Sequence, residues 1–108
     1  MGIDINEDLI SEANEWKQSV SLEDRVEFKV QDALLDHSWK DNVTLIYLYS
    51  VERFIKKLDP ILSDLLKKYS GSSRVITYEN HFLEGSQVCS FLVDQNDVFK
   101  LKVYMCNE

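Results

Sequence analysis

Apolar and polar positions change period several times along the chain. Leu9, Ile10, Ala13, Trp16 and Val20 recur at helical spacing. Asn6 stands just ahead of them as a helix N-cap, and Glu7 and Asp8 fill the first turn, where the helix dipole favours acids. A helix over 7–19 is predicted. The residues before it, Gly2-Ile-Asp-Ile-Asn6, read as the end of a short strand, and Ser21 to Asp24 read as a turn. Arg25-Val-Glu-Phe-Lys-Val30 alternates strictly. That predicts a half-buried strand with Val26, Phe28 and Val30 on its covered face. Gln31-Asp-Ala33 leaves the strand, and Leu34, Leu35 and Trp39 suit a short turn or helix.

Val43-Thr-Leu-Ile-Tyr-Leu-Tyr49 is β-rich and apolar on both faces, the pattern of a central, mostly parallel strand. Phe54, Leu58, Ile61, Leu62, Leu65 and Leu66 form the stripe of a second helix. Pro60 interrupts that stripe, which predicts a start near Asp59 with the proline at the tolerated first position. Lys67 and Lys68 suit its C-terminus, and Gly71 its stop. Arg74 to Glu79 is the next strand, and Gly85-Ser-Gln breaks the chain. Two further strands, 88–93 and 98–106, are joined by Asp94-Gln-Asn-Asp97 as a hairpin loop. Alternating elements followed by a hairpin predict an α/β domain with a mixed sheet, mostly parallel and ending in a C-terminal antiparallel hairpin.

Composition narrows the function classes. A chain of 108 residues with 44% apolar and 29% charged positions predicts one soluble globular domain, residues 1–108. Its longest apolar run, Val43 to Tyr49, falls far short of the roughly 20 residues that span a bilayer. No secretory leader pattern stands before the first element, so an intracellular setting is expected, cytoplasm or organelle matrix. Cys89 and Cys106 lack zinc-ligand spacing and read as free, buried or half-buried thiols. The net charge is −7, and residues 1–42 hold eleven acids against four bases. Such a surface repels a phosphate backbone, so direct nucleic-acid binding is not expected. It suits a lysine-containing protein partner.

The order of elements resembles the class I, Rossmann-like methyltransferases that use S-adenosylmethionine (SAM). In that family a parallel α/β sheet ends in an antiparallel hairpin. Gly2-Ile-Asp-Ile-Asn6 looks like the end of the family's second strand. The resemblance implies that Asp4, with Ile5 beside it, receives the two ribose hydroxyls of SAM. A carboxylate is acceptor-only and takes both protons. Val30-Gln-Asp-Ala33 looks like the end of the third strand. There Asp32 would accept from the adenine amine, and the Ala33 amide would reach a ring nitrogen. One helix and one strand separate the two acids, which predicts both at the same strand-end edge, where open α/β sheets bind ligands. Val43 to Tyr49 looks like the fourth strand, whose end faces the transferred methyl group. Tyr47, Tyr49 and Ser50 are therefore substrate-contact candidates, with Tyr49 reaching the cofactor too. His81, at the end of the next strand, is a candidate general base. The Tyr–Leu–Tyr strand end and Arg74 to His81 are similar, more distantly, to small lysine methyltransferases related to the mitochondrial ATP synthase c-subunit enzyme.

The chain departs from the family in one respect. It contains no Gly-x-Gly pattern, and it opens directly on the second strand. The family's first strand and its glycine-rich loop, which lets backbone amides approach the methionine part of SAM, have no counterpart. The second and fourth strands then either pair directly, receive a strand from another chain in a dimer, or belong to a fragment. Two functions follow: a SAM-dependent methyltransferase acting on an amine such as protein lysine, or a non-catalytic interaction or oligomerisation module that has lost SAM. No metal is needed, since the sulfonium already activates the methyl group. No P-loop or Gly-x-Ser-x-Gly elbow is present.

Overall fold

A computed structural model describes residues 1–41 and 43–107. The fold is α/β, and its contacts divide into two compact units, Met1–Trp39 and Lys40–Glu108.

The first unit is one βαβ motif. Strand β1 (Gly2–Asp4) leads into helix α1 (Glu7–Ser19) and then strand β2 (Phe28–Val30). Asn6 caps α1 as expected, its side chain accepting from Asp8 N at 3.0 Å and Leu9 N at 3.3 Å. The two strands are parallel, with Gly2 opposite Phe28, Ile3 opposite Lys29 and Asp4 opposite Val30. A Cβ on Gly2 would fall 2.8 Å from Phe28 Cδ1, so the missing side chain is what admits the ring. Strand β2 begins three residues later than its alternation predicts. The N–H groups of Arg25 and Val26 both go to the Leu22 carbonyl, which holds that stretch in a turn. Ile10 and Trp39 are the buried apolar side chains of this unit, while Leu9, Trp16, Val20 and Val30 are exposed. The 3-10 turn Ser38–Lys40 carries Trp39, whose indole donates to the Ala33 carbonyl at 3.2 Å.

The second unit holds a four-stranded mixed sheet and a long helix. Its elements are β3 (Leu45–Leu48), α2 (Glu52–Lys68), β4 (Arg74–Tyr78), β5 (Leu92–Asn96) and β6 (Leu101–Tyr104). The spatial order is β3-β4-β6-β5. Strands β3 and β4 are parallel, whereas β6 runs antiparallel to both of its neighbours. The last strand therefore inserts between its two predecessors. The core is made by Ile55, Leu58, Leu62, Leu65 and Leu66 of α2 and by Val75, Thr77 and Tyr104 of the sheet.

Three expectations are corrected here. Strand β3 is an edge of its sheet, not a central strand: Ile46 and Leu48 are partly covered, but Leu45, Tyr47 and Tyr49 are 57%, 58% and 63% exposed. Helix α2 starts at Glu52 and runs through Pro60. A mid-helix proline costs about 3 kcal/mol. Burying Ile55 and Leu58 ahead of it returns about 1.5–3 kcal/mol each, so the longer helix wins. Finally, Val88–Phe91 is a 3-10 turn and not strand, because the Asp59 carboxylate accepts from Gln87 N at 3.0 Å and Val88 N at 2.8 Å and fixes the start of the turn. The hairpin slips accordingly. Asp94, Gln95 and Asn96 lie in β5, and the loop is closed by Phe99 N donating to Asn96 Oδ1 at 2.9 Å.

Candidate functional site

Asp4 ends β1, and Asp32 lies two residues beyond the end of β2. Since β1 and β2 are parallel neighbours, both carboxylates stand at the same, C-terminal edge of the pair. The ladder extends past the strands there, with Gln31 N donating to the Asp4 carbonyl at 2.9 Å. Each acid turns one oxygen to a local amide: Asp4 Oδ1 accepts from Asn6 N, and Asp32 Oδ1 from Leu34 N, both at 2.9 Å. These bonds fix each side chain at the strand end and leave every carboxylate a second oxygen for a ligand hydroxyl or amine. Asp4 and Ile5 are exposed, and Asp32 and Ala33 are half-buried. The loop after Asp32 is tied down by the Trp39 bond to Ala33 and by His37 Nε2 on the Leu34 carbonyl at 2.8 Å.

The other candidates belong to the second unit, at the C-terminal ends of β3 and β4. Tyr49 meets Tyr78 edge to face, with ring centroids 5.1 Å apart. Asn80 Nδ2 donates to the Ser50 carbonyl at 2.9 Å and links the two strand-end loops. His81 is held by Thr77, with Oγ1 2.5 Å from Nδ1. Desolvation, then the nearby Lys102 ammonium, pushes the His81 imidazole below its ordinary value of 6.5. A neutral imidazole is the form that accepts a proton. It lines a cavity of about 350 Å³ together with Glu52, Lys56, Asp59 and Glu84.

A second cleft, of about 430 Å³, is lined by Tyr47, Tyr78, Glu79, Phe99, Lys100 and Leu101. Only Tyr47 among these was a candidate from the sequence. Tyr78 shares the outer face of the sheet with it, and the alternation of Arg74 to Tyr78 carries that information once β3 and β4 are paired in register. Glu79 takes a left-handed backbone, φ 63°, and its N–H donates to the Lys100 carbonyl at 3.0 Å. Lys100 is left-handed too, at φ 55°. For side-chain-bearing residues that conformation costs roughly 1–2 kcal/mol each. The neighbouring Glu79 carboxylate holds the Tyr78 phenol above its ordinary range.

Among the described residues no His, Cys, Asp and Glu cluster could hold a metal ion, and no helix is long and apolar enough to cross a membrane. No family model matches the chain, and no curated protein or solved structure matches it.

Proposed function

We propose that the chain belongs to a SAM-dependent methyltransferase that modifies an amine. The observation that carries this reading is the placement of Asp4 and Asp32 on one edge of a parallel strand pair. Two acceptor-only side chains fixed at adjoining strand ends suit the ribose hydroxyls and the exocyclic amine of an adenosine. The insertion of β6 antiparallel between β4 and β5 supports the same family reading through its hairpin.

The adenosine half of SAM thus finds fitting groups in Asp4, Asp32 and the Ala33 amide. The methionine half finds none of the usual kind, since Gly2, Gly71 and Gly85 form no Gly-x-Gly loop. When bound, SAM supplies a methyl group made electrophilic by its sulfonium. The protein's own part is to hold the amine lone pair in line with that carbon, to exclude water, and to receive the amine's proton. On this reading Tyr47 and Tyr49 are candidate contacts for the amine at the end of β3, and His81, whose imidazole desolvation holds below its ordinary value, is a candidate base that lines a separate cavity.

Calorimetric titration with S-adenosylhomocysteine tests the reading. The expected result is saturable binding to the parent chain that Asp4→Ala and Asp32→Ala each weaken at least tenfold, the loss of about one charge-assisted hydrogen bond. A folded chain that binds none at millimolar ligand contradicts it. The exposed Leu45, Tyr47 and Tyr49, on an edge strand and just beyond its end, favour one second reading, a methyltransferase-like interaction module without cofactor. That negative titration, together with a concentration-dependent mass in solution, is its signature.

A further inference from the structure

Helix α1 packs on β1 and β2 through the side that buries Ile10. Residues three and four apart share a helix face, so Leu9, Ala13, Trp16 and Val20 form an apolar row beside that side. The row is uncovered: Leu9, Trp16 and Val20 are 50%, 52% and 44% exposed. It is about 16 Å long at the helical rise. One position back along the chain, Asp8, Glu12 and Glu15 repeat the same spacing, and all three are exposed. They edge the apolar row on the flank away from Ile10. The helix dipole accounts for Asp8 in the first turn, but Glu12 and Glu15 lie beyond it. Among the described residues no cation answers them. The one ion pair within 4 Å is Lys29–Glu27, and Lys17, the helix's own base, sits over the Phe28 ring at 6.0 Å.

An exposed apolar row on a helix is a surface that a second helix covers, ridge into groove. The acid row beside it selects that helix by charge. Residues 1–42 hold eleven acids against four bases, so a second copy of this chain would bring like-charged surfaces together, as would an anionic lipid surface. A helix with basic residues beside its own apolar row matches both features at once. We propose that the exposed face of α1 docks a basic amphipathic helix of another protein, its apolar residues on the Leu9–Val20 row and its arginines or lysines on Glu12 and Glu15. The docked helix is a partner and not the acceptor of a methyl group, so the inference stands apart from the functional reading above. Docking also adds apolar burial to a unit whose buried apolar side chains are Ile10 and Trp39.

Trp16 supplies the readout, because it is exposed while the other tryptophan, Trp39, is buried. The full chain is titrated with an alanine-based helical peptide of about 15 residues that carries leucines at the same spacing and a row of arginines beside them. A second titration uses the same peptide with glutamates in place of the arginines. Saturable binding of the arginine peptide with a blue shift of tryptophan emission is expected, and the glutamate peptide should bind at least about tenfold more weakly. Glu12→Gln combined with Glu15→Gln should weaken the arginine peptide about five- to tenfold. Glu84→Gln combined with Asp97→Asn makes the same change in net charge at exposed acids of the second unit, and should alter its affinity less than about twofold. Trp16→Ala, followed by calorimetry, should weaken it at least about tenfold. Equal affinity for the two peptides, equal losses in the two double variants, or no binding at about 1 mM peptide overturns the proposal. So does self-association of the chain that Trp16→Ala abolishes, since a second copy would then cover the row.

Discussion

His81 and Asp59 show how single side chains organise the second unit. The His81 imidazole is packed against Thr77 and lies near the Lys102 ammonium, and both desolvation and that charge disfavour its protonation. Its folded-state pKa is therefore below the unfolded value. Between those two values the unfolded chain binds more protons, so stability rises with pH. The contribution is complete above about pH 6.5 and is lost as pH falls through the window beneath it. Thermal melts from pH 7 to pH 5 should show a falling midpoint, and His81→Asn should reduce that fall. An unchanged pH dependence in the variant would remove His81 from the account. Asp59 accepts the Gln87 and Val88 amides from across the unit. Asp59→Ala leaves both without acceptors and should cost about 1–2 kcal/mol in urea denaturation.

At the scale of elements, what the sequence makes plain depends on whether local chemistry decides it. Helix α1, with its Asn6 cap, and the strand ends at Asp4 and Asp32 follow from neighbouring residues alone, and the structure has them where the pattern predicts. The same holds for β4, which the left-handed Glu79 ends. Helix α2 is different, because its first two turns are justified only by the burial of Ile55 and Leu58, a tertiary gain that outweighs the local penalty of Pro60. Pro60→Ala should therefore stabilise the fold by about 1–2 kcal/mol, the restored helical bond less the lost restriction of the unfolded chain. Leu62→Ala, at a side chain with no exposure, should destabilise it by about 2–5 kcal/mol. Equilibrium unfolding monitored by far-UV circular dichroism measures both. The edge position of β3 was not readable from Val43 to Tyr49, since an apolar pattern on both faces states what a strand could bury, not how many neighbours it has. The hairpin loop lies further along the chain than its turn-forming residues predict, because Asp94 and Asn96 here occupy the outer strand, where polar side chains blunt an edge.

At the scale of the molecule, the candidate chemistry is divided between two units. The first holds the acid pair proposed to receive a nucleoside, and the second holds Tyr47, Tyr49 and His81. The acid pair was legible because its spacing follows from one helix and one strand. The Tyr78–Glu79–Phe99 cleft was not, because it joins residues twenty positions apart through the antiparallel return of β6. Few apolar side chains are buried in the first unit, and a unit of about 40 residues gains little stability from its own core. Adenosine recognition at that unit's strand edge is the claim on which the functional account turns. The most direct measurement is an amide-resolved NMR titration with S-adenosylhomocysteine. The account requires saturable shifts centred on Asp4, Ile5, Asp32 and Ala33 that Asp4→Ala weakens at least about tenfold while the rest of the spectrum stays folded. Shifts centred elsewhere, or none from a folded chain at millimolar ligand, would contradict it.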